Sequence, residues 1–393
     1  MRADDHEQFM RRALDLARQG VGLASPNPHV GAVLVNSEGE IVGEGFHTYE
    51  GLKHAEVLAI EQAGERARGT TLYLNLEPCS HVGRTGPCAD AVIRARIARV
   101  YAAMQDPNPV VSSKGFERLR AAGVEVHVGL LEAEARRLNE AFAKYVVQKT
   151  PLVTLKAGMT LDGKIAPPFT PTKGEVGLGD AGGGWITSPE ARAHVQELRH
   201  AADAILVGVN TVIADNPLLT DRTGRPRRRK LLRVVSDSKL RLPLDSRLVE
   251  TVNDDLIVFC SFAEERKRRE LEARGIRVEQ VKLGTLDGRP DIAAVVQKLG
   301  EMEITSLIVE GGALVNWTAL AADIVDKVFL FYAPKILAGT GSVPFASGPG
   351  FPRISEAARV HSISLYRFGE DFAVEGYIKD PYDQRSQTEH VSG

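Results

Sequence analysis

Three potential metal ligands and one carboxylate hold fixed places in the first hundred residues: HAE at 54–56, PC at 78–79, and Cys88. The segment KHAEVLAI sets His54 and Glu56 at the start of a helix, LNLEPCS ends a strand at Cys79, and Cys88 opens another helix. Each ligand therefore stands at a strand end or a helix start, and the fold must bring those junctions together. Helix N-termini stabilise negative charge, so a thiolate forms there more readily than on free cysteine. One imidazole and two thiolates suit zinc, and three protein ligands leave the fourth tetrahedral position open for water, as in a catalytic site. Glu56, two residues from a ligand, is poorly placed to be a fourth. It can instead take a proton from that water and pass it to a ring nitrogen and a departing amine. A closed structural site with His81 as the fourth ligand remains a competing arrangement, and it leaves Glu56 idle. A third possibility is that these residues bind nothing, since short patterns also arise by chance.

The rest of the chain alternates short apolar runs with helix-period segments, the pattern of mixed α/β domains on a largely parallel or mixed sheet. At 393 residues it exceeds what one core usually serves, which predicts two domains. The first pattern ends at Thr150 and Pro151, where proline denies a helix its next hydrogen bond. The expected domains are therefore 1–149 and 150–382, with a polar tail over 383–393. The Pro/Gly-rich stretch between Ala166 and Trp185 fits no element and reads as a mobile functional loop or an insert. DRTGRPRRRK, 221–230, reads as a solvated basic loop.

Composition narrows the function. Apolar residues make up 43% and charged residues 25%, no apolar run is long enough to cross a bilayer, and the N-terminal stretch lacks the features of a secretory signal. A cytoplasmic protein is expected. Three cysteines are too few for a disulfide framework and read more naturally as two metal ligands and a buried strand thiol, Cys260. A net charge of −2 offers no global attraction to nucleic acid, so a small-molecule substrate is expected.

The second half carries no GxGxxG fingerprint after a strand. Its best clue is SLIVEGGALVNW, where a buried strand ends in an acid and two glycines that open a helix, letting backbone amides approach a cofactor phosphate. A tight turn without a ligand satisfies the same pattern. Taken singly, Arg199 reads as a solvated helix residue, Trp185 as a core residue, and Asp215-Asn216-Pro217 as a turn. Lys156 and Glu310 are expected at strand ends facing a cleft, where they would orient a substrate.

His-x-Glu followed by Pro-Cys and a second cysteine resembles the zinc nucleobase deaminases. Eight residues separate Cys79 from Cys88 here, where that signature has two, so CSHVGRTGPC contains an inserted, substrate-contacting loop. This loop, with SPNPHVGAVLV at 25–35, resembles the N-terminal half of the bifunctional riboflavin-biosynthesis deaminase/reductase family. KAGMTLDGKIA at 156–166, WITSPEAR at 185–192, ILVGVNTVIADNPLLTDR at 205–222 and LIVEGGALVNW at 307–317 resemble that family's reductase half. The resemblance covers nearly the whole chain in order. It implies a cytidine-deaminase-like three-layer domain followed by a dihydrofolate-reductase-like α/β domain, one zinc ion per deaminase site, NADPH, and a homo-oligomer acting on a small molecule. The implied reactions are removal of the 2-amino group of a diaminopyrimidinone ribosylamine 5'-phosphate and reduction of its ribose to a ribityl chain. Carried over by position, Asn27, His47, His81 and Arg84 contact the deaminase substrate, and Arg199, Leu219, Arg222 and Glu310 the reductase substrate. Gly158, Trp185, Thr211, Asp215 and the segment Gly312, Ala313 and Leu314 line the nicotinamide cofactor. Arg84 stands where the family has lysine, and Gly183 where it has serine. Two rival functions fit the residues without the resemblance: a nucleoside or tRNA deaminase with an accessory domain, and a zinc-stabilised nucleotide-binding protein without chemistry.

Overall fold

The computed structural model describes residues 3–80, 86–109, 111–168, 184–285 and 288–383. The chain divides into two compact units: one of residues up to Gln148 together with Pro226–Arg229, the other of Lys149–Arg225 and Lys230–Asp383.

In the first unit the strands are β1 (Gly31–Val35), β2 (Ile41–Phe46), β3 (Thr71–Leu74), β4 (Arg99–Ala102) and β5 (Glu125–Val128). The helices are α1 (Ala3–Gln19), α2 (Ala55–Ala63), α3 (Cys88–Arg94), α4 (Lys114–Ala121), α5 (Glu132–Leu138) and α6 (Glu140–Gln148). The sheet order is β2-β1-β3-β4-β5. β1 runs antiparallel to both neighbours, whereas β3, β4 and β5 are parallel. Where one charged helix was expected up to about Tyr145, two form, because Asn139 leaves helical geometry between them.

Met10, Leu14, Leu34, Leu72, Leu74 and Leu119 are fully buried in the core. Close approach by two helices sets its depth. A Cβ on Gly31 would lie 2.1 Å from the Ala13 carbonyl oxygen on α1, and a Cβ on Gly43 would lie 2.1 Å from that of Ala59 on α2. The glycines on β2 thus let α2, whose first turn carries Glu56, lie directly on the strand. Pro226–Arg229 also packs within this unit. The Arg228 amide donates to the Gly22 carbonyl at 2.8 Å, and its guanidinium stacks 3.4 Å from the Tyr49 ring centre. Arg228 is therefore docked, where a solvated loop was expected.

The second unit contains β6 (Leu152–Thr160), β7 (Lys164–Ala166), α7 (Pro189–Ala201), β8 (Ala204–Gly208), α8 (Val209–Asp215), β9 (Leu232–Ser236), α9 (Arg247–Glu250) and β10 (Leu256–Cys260). It continues with α10 (Glu265–Glu272), β11 (Arg277–Gln280), α11 (Ile292–Glu301), β12 (Ser306–Val309), α12 (Ala313–Ala321), β13 (Lys327–Ala333), β14 (Val343–Pro344), β15 (His361–Phe368) and β16 (Asp371–Tyr377). The main sheet has the order β11-β10-β9-β8-β12-β6-β13-β16-β15. It is parallel from β11 through β13, and β16 and β15 close it antiparallel.

Alternate residues feed two cores. Val153, Leu155, Leu206, Val234, Ile257 and Phe259 enter one, and Ile205, Val207, Val235, Val258 and Cys260 the other. Burial on both faces is why these strands read as continuous apolar runs. β15 escaped sequence reading because its side chains are mostly exposed and its alternation is weak. Much of the Pro/Gly-rich connection over 167–184, including Gly183, lies outside the described residues, as does the tail from 384 onward. Among the described residues no helix is long and apolar enough to cross a membrane.

Gly43→Ala should push α2 off β2 and cost about 1–3 kcal/mol of first-unit stability, the usual cost of overpacking. Urea unfolding followed by circular dichroism measures it, with a lowered midpoint expected.

Candidate active sites

In the first unit His54 caps α2 in extended conformation, Cys88 is the first residue of α3, and Cys79 lies in the segment after β3. The three donor atoms lie within 4.8 Å of one another. The His54 Nδ1 is 3.0 Å from the Cys88 Sγ and 3.6 Å from the Cys79 Sγ. A tetrahedral zinc with ordinary bond lengths separates such donors by roughly 3.5 Å, so the set fits that ion.

The Cys88 amide donates to the Cys79 Sγ at 3.3 Å, so the start of α3 faces this sulfur. Cys79 is pushed down, first by the Cys88 thiol donating to it and then by His54, and Cys88, as the donor to Cys79, moves up. His54 rises to about 8 because it is hydrogen-bonded to Cys79. Glu56 is buried, burial raises its carboxyl above the usual range, and its Oε2 has no hydrogen-bond partner among the described residues. Such an orphaned oxygen is costly unless a substrate or water completes it.

His47 lies edge-on to His54, with ring centres 5.1 Å apart. Its Nδ1 is 3.0 Å from the Lys53 carbonyl, which can only accept, so Nδ1 carries the hydrogen. The Nε2 then accepts from the Asn27 amide at 2.9 Å. Burial lowers the pKa of His47, which favours the neutral ring. Asn27, His47, His54 and Glu56 are thus drawn to one place, whereas His81 and Arg84 lie outside the described residues. Sequence reasoning missed Asn75 and Glu77, both buried between β3 and Cys79. Asn75 accepts from the Gly31 amide at 2.9 Å and donates to the His29 carbonyl at 2.8 Å. The signal available was two polar residues directly after an apolar strand.

In the second unit Glu310 follows β12 and accepts a two-pronged bond from Arg199 of α7, with Nε to Oε1 at 2.9 Å and Nη2 to Oε2 at 3.0 Å. Lys156 reaches Oε2 at 3.3 Å. Lys156 is mid-strand, not at a strand end as expected: β6 outruns β12, whose last pairing is Val309 with Leu155. Lys156 is therefore level with Glu310, where the neighbouring strand has stopped. Burial alone would raise Glu310, but Arg199 and Lys156 outweigh it and hold the carboxyl down at about 2. Asp221 also acts on Arg199 electrostatically, so the two cations answer more than one acid.

Arg199 is buried, not solvated, and also donates to the Thr220 carbonyl at 3.1 Å. Arg222 is exposed, with its amide on the Gln196 side chain of α7 at 3.0 Å. Leu219 is a core residue with φ of 53°. Trp185 is 45% exposed, contrary to a core role, and Arg192 stacks 4.5 Å from its ring centre. A Cβ on Gly158 would meet Thr187 at 3.2 Å, and one on Gly312 would meet the Thr211 hydroxyl at 3.6 Å. Gly312 caps α12, whose Ala313 is buried and Leu314 exposed. Asp215 ends α8, its Oδ1 is buried without a partner among the described residues, and burial raises it to about 6.

Residues 3–104 match the cytidine and deoxycytidylate deaminase zinc-binding region, and residues 151–374 match the RibD C-terminal domain. The chain is 41% identical over 373 residues to the riboflavin biosynthesis protein RibD of Actinobacillus pleuropneumoniae, covering 95% of each. It is 42% identical over 368 residues to that of Aquifex aeolicus, covering 94% of this chain and 97% of the relative. Among solved structures, the diaminohydroxyphosphoribosylaminopyrimidine deaminase/5-amino-6-(5-phosphoribosylamino)uracil reductase of Thermotoga maritima is similar with a TM-score of 0.77 and 37% identity. That match covers 95% of this chain and 99% of the other. The architecture is thus a cytidine-deaminase-like zinc domain followed by a dihydrofolate-reductase-like α/β domain.

Asp215 supplies a pH test. Its folded-state pKa of about 6 lies above the ordinary 3.8, so the native protein binds this proton more tightly than the unfolded chain, and stability falls as pH rises through about 6. Asp215→Asn should melt like wild type at pH 4 and above it at pH 8, as read by the thermal midpoint of the cofactor-free protein.

Proposed function

Because this chain belongs to the RibD family of bifunctional riboflavin-biosynthesis deaminase/reductases, we propose that it acts on 2,5-diamino-6-(5-phosphoribosylamino)pyrimidin-4-one. The first unit releases the 2-amino group as ammonia, and the second reduces the ribosyl group of the product to a ribityl chain with NADPH. The observation that carries this reading is the convergence of His54, Cys79 and Cys88 beside the orphaned carboxylate oxygen of Glu56. A closed structural zinc site would give that buried acid nothing to do.

His54, Cys79 and Cys88 would hold zinc, which when bound would supply the Lewis acidity that makes water a nucleophile near neutral pH. Glu56 would take one proton from the attacking water on Oε2 and deliver it to the ring nitrogen next to the reacting carbon, then take the remaining proton of the newly added hydroxyl and pass it to the amine, which leaves as ammonia as the carbon–nitrogen bond breaks and the carbonyl forms. Burial raises its carboxyl above the usual range, so it takes up a proton more readily than an exposed glutamate. Neutral His47, fixed by the Lys53 carbonyl, and Asn27 orient the substrate, and His81 and Arg84 complete its contacts.

When bound in the second unit, NADPH would supply hydride-transfer chemistry for reducing C1 of the opened sugar. Lys156, steadied by Glu310, donates the accompanying proton or holds the accepting atom. Lys156 and Arg199, both held by Glu310, supply the hydrogen-bond donors that would meet the substrate. Leu219 and Arg222 adjoin that substrate, and Gly158, Trp185, Thr211, Asp215 and Gly312 through Leu314 line the cofactor. The same proposal includes a cytoplasmic homo-oligomer that acts on small molecules and not on nucleic acid.

A coupled assay of zinc-loaded protein tests the reading, following ammonia without cofactor and NADPH absorbance with it. Both signals support it, ammonia alone would remove the reductase assignment, and neither would return the chain to a zinc-stabilised binding protein. Glu56→Gln should cut ammonia release by about 10²–10⁴-fold, while NADPH oxidation on the deaminated compound stays at the wild-type rate. Lys156→Ala should do the reverse, lowering reduction about tenfold or more and sparing ammonia release.

A further inference from the structure

The segment that carries Cys79 has no ladder to hold it. β3 ends at Leu74, and five residues later a sulfur must stand within bonding distance of a metal shared with two other elements. Glu77 lies between these points. Its side chain is buried, and its carboxylate accepts from four backbone amides. Oε1 takes Gly115 at 2.9 Å and Phe116 at 3.3 Å, and Oε2 takes Asp106 at 3.1 Å and Ser113 at 3.0 Å. The Glu77 amide itself donates to the Met104 carbonyl at 3.0 Å.

An ionised carboxylate is acceptor-only with about four lone-pair sites, so these amides saturate it. The next residue is clamped independently: a Cβ on Gly115 would stand 2.0 Å from the Pro78 carbonyl oxygen, so α4 and the segment before Cys79 meet backbone to backbone. The donors come from the turn after β4 and from the start of α4, which are otherwise remote from the metal ligands in sequence. Glu77 thus ties Cys79 to the far half of the sheet.

We propose that Glu77 is a positioning residue of the deaminase centre: by gathering the Asp106, Ser113, Gly115 and Phe116 amides it fixes Pro78 and so places the Cys79 sulfur for the metal. This rests on the zinc-deaminase reading above and adds to it a residue that touches neither metal nor substrate. Outer residues that orient ligands typically change metal affinity or activity by about 10–100-fold when removed.

The test uses the full chain. Zinc affinity is measured by competition with a chromophoric chelator, the ligand-field and thiolate bands are recorded after loading with cobalt(II), and kcat and KM are measured for ammonia release. Glu77→Gln presents an amide donor to two backbone donors. It should weaken zinc binding at least tenfold, alter the cobalt spectrum, and lower kcat about tenfold with KM changed less than about twofold. NADPH oxidation on the deaminated compound should not change. Glu77→Asp keeps the charge but withdraws it by one methylene, should show a smaller loss of the same kind, and decides the matter if Glu77→Gln does not fold. A folded variant that melts earlier yet holds zinc and the cobalt spectrum as wild type does would overturn the proposal and leave Glu77 a purely structural residue. Wild-type protein that binds no zinc would instead overturn the functional reading on which it rests.

Discussion

Convergence of three donor atoms within 4.8 Å, each from a different element, is the constraint to which the first unit is built. An imidazole at the cap of α2, a sulfur at the start of α3 and another after β3 can meet only if two helices arrive at the end of the central strand. The glycines of β2 let α2 lie against the strand at backbone distance, and the Cys88 amide brings α3 onto the Cys79 sulfur. The remaining freedom lies in the chain between β3 and Cys79, where side chains do what a ladder cannot: Asn75 bonds to backbone groups on either side of β1's start, and Glu77 bonds to the turn after β4 and to α4. Removing water from this pocket has an electrostatic consequence. Burial favours the protonated form of Glu56 and the neutral form of His47, which suits one to proton transfer and the other to hydrogen bonding.

The second unit solves a different problem, holding charge inside a sheet covered on both faces. Glu310 is surrounded by apolar strands, and a buried carboxylate left alone would take up a proton. Arg199 and Lys156 prevent that, one through a two-pronged bond from a helix and the other from the adjoining strand at the level where β12 has ended. Breaking such a cluster by removing one partner is strongly destabilising in general, about 3–5 kcal/mol, so the arrangement also locks α7 onto the sheet. Asp215 lacks such partners among the described residues and its pKa rises instead. The two acids show how similar burial gives opposite shifts when the neighbouring charges differ.

Much of this was legible beforehand, and for identifiable reasons. The deaminase ligands were visible because metal chemistry demands particular residue types at helix starts and strand ends, and the family was visible because several motifs occur in order over nearly the whole chain. The doubly covered strands were visible as unbroken apolar runs such as DLIVFC. Less legible were elements whose side chains face solvent, notably β15, and residues whose surroundings come from distant sequence. Arg199 has the helical spacing of an ordinary surface arginine, and nothing near it announces Glu310, 111 residues away. Trp185 looks like a core residue by type, yet it is exposed beneath Arg192.

Sequence alone determined the α/β class, the metal ligands' identities and the family, because these depend on residue type and on short-range order. Tertiary structure decided which charges are paired, which acid oxygens lack hydrogen-bond partners among the described residues, and how Cys79 is held. Lys156 shows the difference most plainly: that it lies on a strand could be read from the sequence, but its mid-strand place and its pairing with Glu310 depend on where a neighbouring strand, more than 150 residues on, stops. Pairing register and strand length are set by the assembled sheet, and no local pattern encodes them.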